Sequence, residues 1–260
     1  MAKPTLYLTF DDGPYEPATE LVLKVLKKHA VPATFFLCCA SNNIKEARQY
    51  QLIQQMTKGG HALANHGDDH KPMTQGGYRG IVTGKGAMSS EERKNFEQDA
   101  HGATQVVKHV VKDFVDNTAY FENLFKRNGK KFPGFMGSRL PGDGRFHAPV
   151  VEAIVAKTQK PHFGWHVEFA PNGTFKHVDK HNWNGLSGAA STVADTSGLK
   201  DQNILLLHDS HWKQREDVLD RLVGSLKSVG KLELLPSVMP KNANDSFKKA
   251  VVAPGQARTR

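Results

Sequence analysis

Strand-like and helix-like runs of apolar residues alternate along this chain. Thr5-Leu6-Tyr7-Leu8 reads as a buried strand, and Pro17 sits where a first helical turn tolerates proline. Leu21, Val22, Val25, Leu26 and His29 then share one helical face. Ala33–Cys38 predicts a second strand, and Ser41 caps a predicted helix through Leu52, Ile53 and Met56 that stops at Gly59-Gly60. Further strand-like segments follow at His61–Asn65, Pro133–Ser138, Phe163–Val167 and Ile204–Leu207. A last helix carries Val218, Leu219, Leu222, Val223 and Leu226, with Lys231–Leu235 after it. This is an α/β pattern of about seven units, and periodicity alone admits either a barrel or a flat doubly wound sheet.

Two stretches depart from the alternation. The connection 71–130 contains a glycine-rich piece, Gly76–Gly86, and then a predicted helix with a Ser89/Glu92 capping box. Val107, Val110, Val111, Phe114 and Val115 supply the apolar face of that helix. We read it as a barrel helix extended by an insertion, with the glycine piece a solvated excursion or a flap. Lys241–Arg260 is polar and basic and predicts a loosely ordered tail, so the domain is expected to span residues 1–240.

At 260 residues the chain suits a single large α/β domain. With 35 Lys and Arg against 26 Asp and Glu the net charge is +9, which favours anionic partners. No basic block is interleaved with aromatics in the manner of a nucleic-acid platform, so nucleic acid is not expected as a partner. No apolar run is long enough to span a membrane, and no secretory signal precedes the first strand. The two cysteines, Cys38 and Cys39, are adjacent in a strand pattern that points them to opposite faces, so they read as packing thiols.

The chemistry gathers at the ends of the predicted strands. Asp11 and Asp12 follow the first strand, and the turn Gly13-Pro14 holds them at its rim. Two adjacent carboxylates repel each other and lose hydration there, a cost that a divalent metal would offset; a helix-capping acid pair is the plainer reading. In His66-Gly67-Asp68-Asp69-His70 two imidazoles lie four residues apart, close enough to reach one ion, although 13 histidines make some such pair unsurprising. Asn203–Leu207 delivers His208-Asp209 to a polar strand end, where a histidine can act as an acid or base.

Taken in order, these segments resemble the polysaccharide deacetylase family, the carbohydrate esterases that share the NodB homology domain. Thr9-Phe10-Asp11-Asp12-Gly13-Pro14 matches its first motif in full. His66–His70 resembles the second, His-Ser/Thr-x-x-His, with Gly67 in place of the hydroxyl residue. Arg139-Leu140-Pro141-Gly142 resembles the third without its aromatic, and Leu206-Leu207-His208-Asp209 resembles the fifth. Trp165-His166-Val167-Glu168 falls on the opening of the fourth, but the Asp-Trp that should follow lands on Pro171-Asn172.

The resemblance implies a distorted (β/α)7 barrel and a hydrolase that removes N-acetyl groups from a glycan such as peptidoglycan or chitin. It implies one divalent ion, zinc before cobalt, nickel or manganese, on Asp12, His66 and His70. Asp11 would be the general base, Arg139 would hold Asp11 ionised, and His208 would protonate the leaving amine. Pro141, Gly142, Trp165 and Glu168 would serve substrate and oxyanion, with Glu168 or another acid partnering His208 and Asn182-Trp183 restoring a groove wall. The alternatives are an amidohydrolase acting on a small non-peptide C–N bond and a glycan-binding module with a vestigial site. A monomer is expected. An envelope or extracellular target reached by signal-independent export is favoured, with the cytoplasm as the other location.

Overall fold

The computed structural model describes residues 2–38, 44–70, 100–141, 148–169, 174–179, 182–187 and 198–255. Strand β1 (Thr5–Gly13) is the axis of the molecule. It runs parallel to β2 (Thr34–Leu37), β8 (Asn203–His208) and, at its start, β9 (Lys231–Glu233). The main sheet continues from β2 to β3 (Ala62–Asn65) on one side and from β8 to β5 (Val167–Phe169) on the other. Beyond β5 lie two antiparallel strands absent from the sequence reading, β6 (Thr174–Asp179) and β7 (Asn182–Ser187).

At the opposite edge the bridges Asn65↔Ser138 and Ser138↔His162 carry the parallel run past β3 to β4 (His162–Phe163). From β4 the chain passes through Gly164–His166 into β5 at the other edge, so the sheet curls into a distorted α/β barrel. The expected strand Pro133–Ser138 is thus reduced to a single bridging residue, because its backbone bonds are spread over Leu63 and Pro161.

Alternation along β1 sorts its side chains between two cores. Leu6, Leu8 and Phe10 face outward, where they meet Val22, Val25 and Leu26 of α1 (Ala18–His29) and Leu52, Ile53 and Met56 of α2 (Glu46–Lys58). The same outer core takes Phe121, Leu124 and Phe125 from the 28-residue α3 (Ala100–Arg127). Tyr7 faces inward with Phe36, Ile204, Leu206, Phe163 and Trp165. Parallel strands buried on both faces are built from such unbroken apolar runs. A third cluster joins Val110 and Phe114 of α3 to Val150, Val151 and Ile154 of α4 (Ala148–Thr158).

Helix α5 (Glu216–Val229) buries Leu219, Leu222, Val223 and Leu226 as its spacing predicts. Val115 departs from the predicted α3 face and is 38% exposed, since the stripe that packs is Val110, Phe114 and Phe121. The Ser89/Glu92 capping box, the glycine-rich piece, Ser41 and Cys39 lie outside the described residues.

The expected loose tail is a correction. Asn244 caps α6 (Asp245–Ala250) by accepting the Phe247 N–H, and β10 (Val251–Val252) pairs antiparallel with β4. Phe247, Val251 and Val252 are buried, and the Phe247 ring lies 5.4 Å from Tyr7, so this segment plugs the end of the barrel where β1 starts. Among the described residues no helix is long and apolar enough to cross a membrane.

Candidate active site

Inward positions on β1 set the site. Thr9 and Asp11 follow Tyr7 on the barrel face, and the β1–β8 register places Asp11 beside His208. Beneath them lies Arg139, 1% exposed. Its Nη1 donates to Asp11 Oδ1 at 2.6 Å and to Thr9 Oγ1 at 2.9 Å, while Nε and Nη2 donate to the carbonyls of Phe163 and Gly164. The guanidinium also lies 3.9 Å from the centre of the Phe36 ring. A buried ion pair is tolerable only when its remaining hydrogens are used, and here the partners are supplied. The geometry leaves Asp11 with Oδ1 engaged by the guanidinium and Oδ2 turned to His66 at 3.6 Å.

The next residue leaves the strand. Asp12 has φ +71°, which swings its carboxylate from the barrel axis towards two imidazoles. Oδ1 lies 2.7 Å from His70 Nε2 and 3.3 Å from His66 Nε2, and the three ligand atoms lie within 4.8 Å of one another. His66 Nδ1 is 3.0 Å from the Arg139 carbonyl, an acceptor, so Nδ1 carries a hydrogen and Nε2 faces the Asp12 carboxylate. Burial alone would raise the Asp12 pKa, but hydrogen bonds and charge from both histidines hold it well below the usual carboxylate range. For His70 burial works downward, and the bond to Asp12 wins and raises it. One carboxylate and two imidazoles, that of His66 oriented by its Nδ1 bond, make a donor set that fits a divalent ion and leaves further coordination positions open.

His208 ends β8 with Nδ1 buried and, among the described residues, without a hydrogen-bond partner, its ring centre 4.8 Å from that of His211. Burial, followed by the neighbouring His208, lowers the His211 pKa. Asp209 is fully buried and accepts from Thr19 Oγ1; burial pushes its pKa up to about 7, with Asp12 and Asp11 adding to the effect. A Cβ on Gly13 would come 2.7 Å from Asp209 Oδ2, so the glycine of the turn makes room for this acid.

The remaining sequence candidates fare differently. Glu168 is half-buried in β5, and among the described residues no hydrogen bond joins it to His208. Trp165 is 7% exposed and packs 5.7 Å from Arg139 in the inner core, so it supports the arginine from below and offers no face to a glycan. Pro141 is buried and has no N–H, and the N–H of Leu140 is given to His162 Nε2, which leaves the expected oxyanion donor to Gly142, outside the described residues. The side chains of Asn182 and Trp183 are also outside them.

Sequence reasoning missed Thr9, Thr19, Asn65, Asp113, Asn117 and His162. A threonine two residues before an acid on one strand face was the available signal for Thr9. Asn65 adjoins His66 and takes the Gly67 N–H locally, whereas Thr19, Asp113, Asn117 and His162 meet the site only through tertiary packing.

The family model described as polysaccharide deacetylase matches residues 1–126, which include Asp11, Asp12, His66 and His70. A chitooligosaccharide deacetylase of Sinorhizobium fredii is 44% identical over 78 residues, 30% of this chain and 34% of that protein. A peptidoglycan-N-acetylglucosamine deacetylase of Listeria monocytogenes is 27% identical over 223 residues, 86% of this chain and 36% of its own length. The chain therefore spans about a third of the length of these curated relatives. Among solved structures, the peptidoglycan deacetylase PdaC from Bacillus subtilis matches with TM-score 0.52 at 19% identity, over 89% of this chain and 87% of that one. A family 4 acetyl xylan esterase from Clostridium thermocellum, solved with a cobalt ion, gives 0.52 at 22% identity over the same shares. At such identities the likeness is one of fold.

Proposed function

We propose that this chain, whose residues 1–126 match the polysaccharide deacetylase family model, is a metal-dependent hydrolase that removes N-acetyl groups from the amino sugars of a glycan. One observation carries the reading: a carboxylate clamped by a buried arginine, Asp11, stands between an Asp12/His66/His70 ligand set and the strand-end histidine His208.

Asp12, His66 and His70 would hold the ion, and zinc suits two imidazoles and one carboxylate best. A divalent ion so held supplies Lewis acidity towards a carbonyl and lowers the pKa of water towards about 7. Asp11 takes a proton from the attacking water as a C–O bond forms at the acetamide carbon. Arg139 keeps Asp11 aimed, through bonds that also fix Thr9 and the carbonyls of Phe163 and Gly164. His208 gives its proton to the sugar nitrogen as the C–N bond breaks, so acetate and a free amine leave.

The net charge of +9 favours an anionic wall polymer, and peptidoglycan is the substrate we favour, with the protein acting in the envelope or outside the cell. The test is acetate release from purified peptidoglycan and chitin oligomers by the zinc-loaded protein, together with fractionation of the native host. Wild type should release acetate, and Asp11→Asn should release it about 10²- to 10⁴-fold more slowly. No release from any N-acetylated glycan, with turnover of a small non-peptide amide by cytoplasmic protein, would overturn the reading.

A further inference from the structure

The loop that carries both imidazoles is fastened by one turn of α3. Three successive N–H groups of the loop are taken by side chains: Gly67 by Asn65 Oδ1 at 2.9 Å, Asp68 by Asp113 Oδ2 at 3.0 Å, and Asp69 by Asp113 Oδ1 at 2.8 Å. Asn65 is itself gripped from α3, donating to the Phe114 carbonyl and to Thr118 Oγ1 and accepting from Asn117 Nδ2. Asn117, wholly buried, also donates to the Leu37 carbonyl.

The loop has reason to need such support. His70 sits at φ +48°, a backbone setting that non-glycine residues keep only when their surroundings insist. His66 is steered directly by the Arg139 carbonyl. The His70 ring bonds to Asp12 and to its own backbone, so its aim depends on the backbone that carries it. That backbone ends two consecutive N–H groups on one carboxylate.

Gly67 is part of the same device. Its φ is +82°, and a Cβ there would overlap Asp113 Oδ2, so a hydroxyl residue at this place in the motif and the carboxylate exclude each other. We infer that Asp113 is a positioning residue of the site: from α3 it holds the Asp68–Asp69 backbone so that His70 points at the ligand centre, and Gly67 is the residue that admits it. The inference rests on the metal-site reading, but its test uses metal binding without substrate.

Divalent affinity is measured on the full chain by competition between zinc and a chromophoric chelator, alongside the visible spectrum of the cobalt-loaded protein and the melting of the metal-free protein. Asp113→Ala should lose about 10- to 100-fold in affinity, as removal of outer supports of metal ligands does, and should alter the cobalt spectrum. Asp113→Asn retains one acceptor oxygen and should fall between. Gly67→Ser should weaken binding in the wild-type background and cost less in Asp113→Ala, because the overlap has gone. Wild-type affinity and spectrum in Asp113→Ala would overturn the inference. If that variant does not fold, Asp113→Asn decides: wild-type affinity there overturns it equally. A variant series that behaves as expected in a protein that releases no acetate from any glycan would sink the deacetylase reading and leave this one standing.

Discussion

Neighbouring carboxylates at positions 11 and 12 have different partners, and their roles separate accordingly. Asp11 is bonded to Arg139, whereas Asp12 turns out at positive φ to the imidazoles. Asp11→Asn should keep its metal and lose about 10²- to 10⁴-fold in turnover, the worth of a positioned general base. Asp12→Ala should lose metal and turnover together; metal analysis beside an acetate assay separates the two. Asp209 offers a pH test. Its folded pKa, about 7, stands above the ordinary 3.8, so the folded state keeps the proton after the unfolded chain has released it. The stability it lends is whole below about pH 4 and is lost as pH rises to about 7. Asp209→Asn should therefore gain on wild type across that window, seen as a widening difference in melting temperature with chelator present in both samples.

Elements with a regular apolar pattern were the legible ones. The apolar runs of β1 and β8 and the 3.6-residue stripes of α1 and α5 declare themselves locally, and the acids and histidines at the strand ends follow from them. Residues 133–138 were misread because an apolar run does not reveal how its backbone will be shared between neighbours. The segment after Lys241 was misread for its polarity, although Phe247, Ala250, Val251 and Val252 are buried within it. Phe247→Ala should cost about 3–5 kcal/mol in urea unfolding, the usual price of emptying an aromatic site, where a loose tail would cost nothing. Asp113 was out of reach for another reason: no local spacing ties it to residues 68 and 69, and only the docking of α3 brings them together.

For the molecule as a whole, a ligand set that assembles only in the folded state should couple metal to stability. Chelation should lower the melting temperature of wild type, and His66→Ala should melt at one temperature with or without added zinc. Differential scanning calorimetry at matched protein concentration reads both. The packing of the closing segment adds a condition on how the site comes into being. Arg139 is anchored on the carbonyls of Phe163 and Gly164, and the strand that presents them is itself paired to β10, with the Gly164 N–H bonded to the Ala250 carbonyl. On the ribosome, then, Asp11 emerges among the earliest residues of the site yet waits for Val252 before its clamp is braced. A nascent chain stopped short of that point holds every residue assigned to the chemistry and lacks the strand that steadies its base.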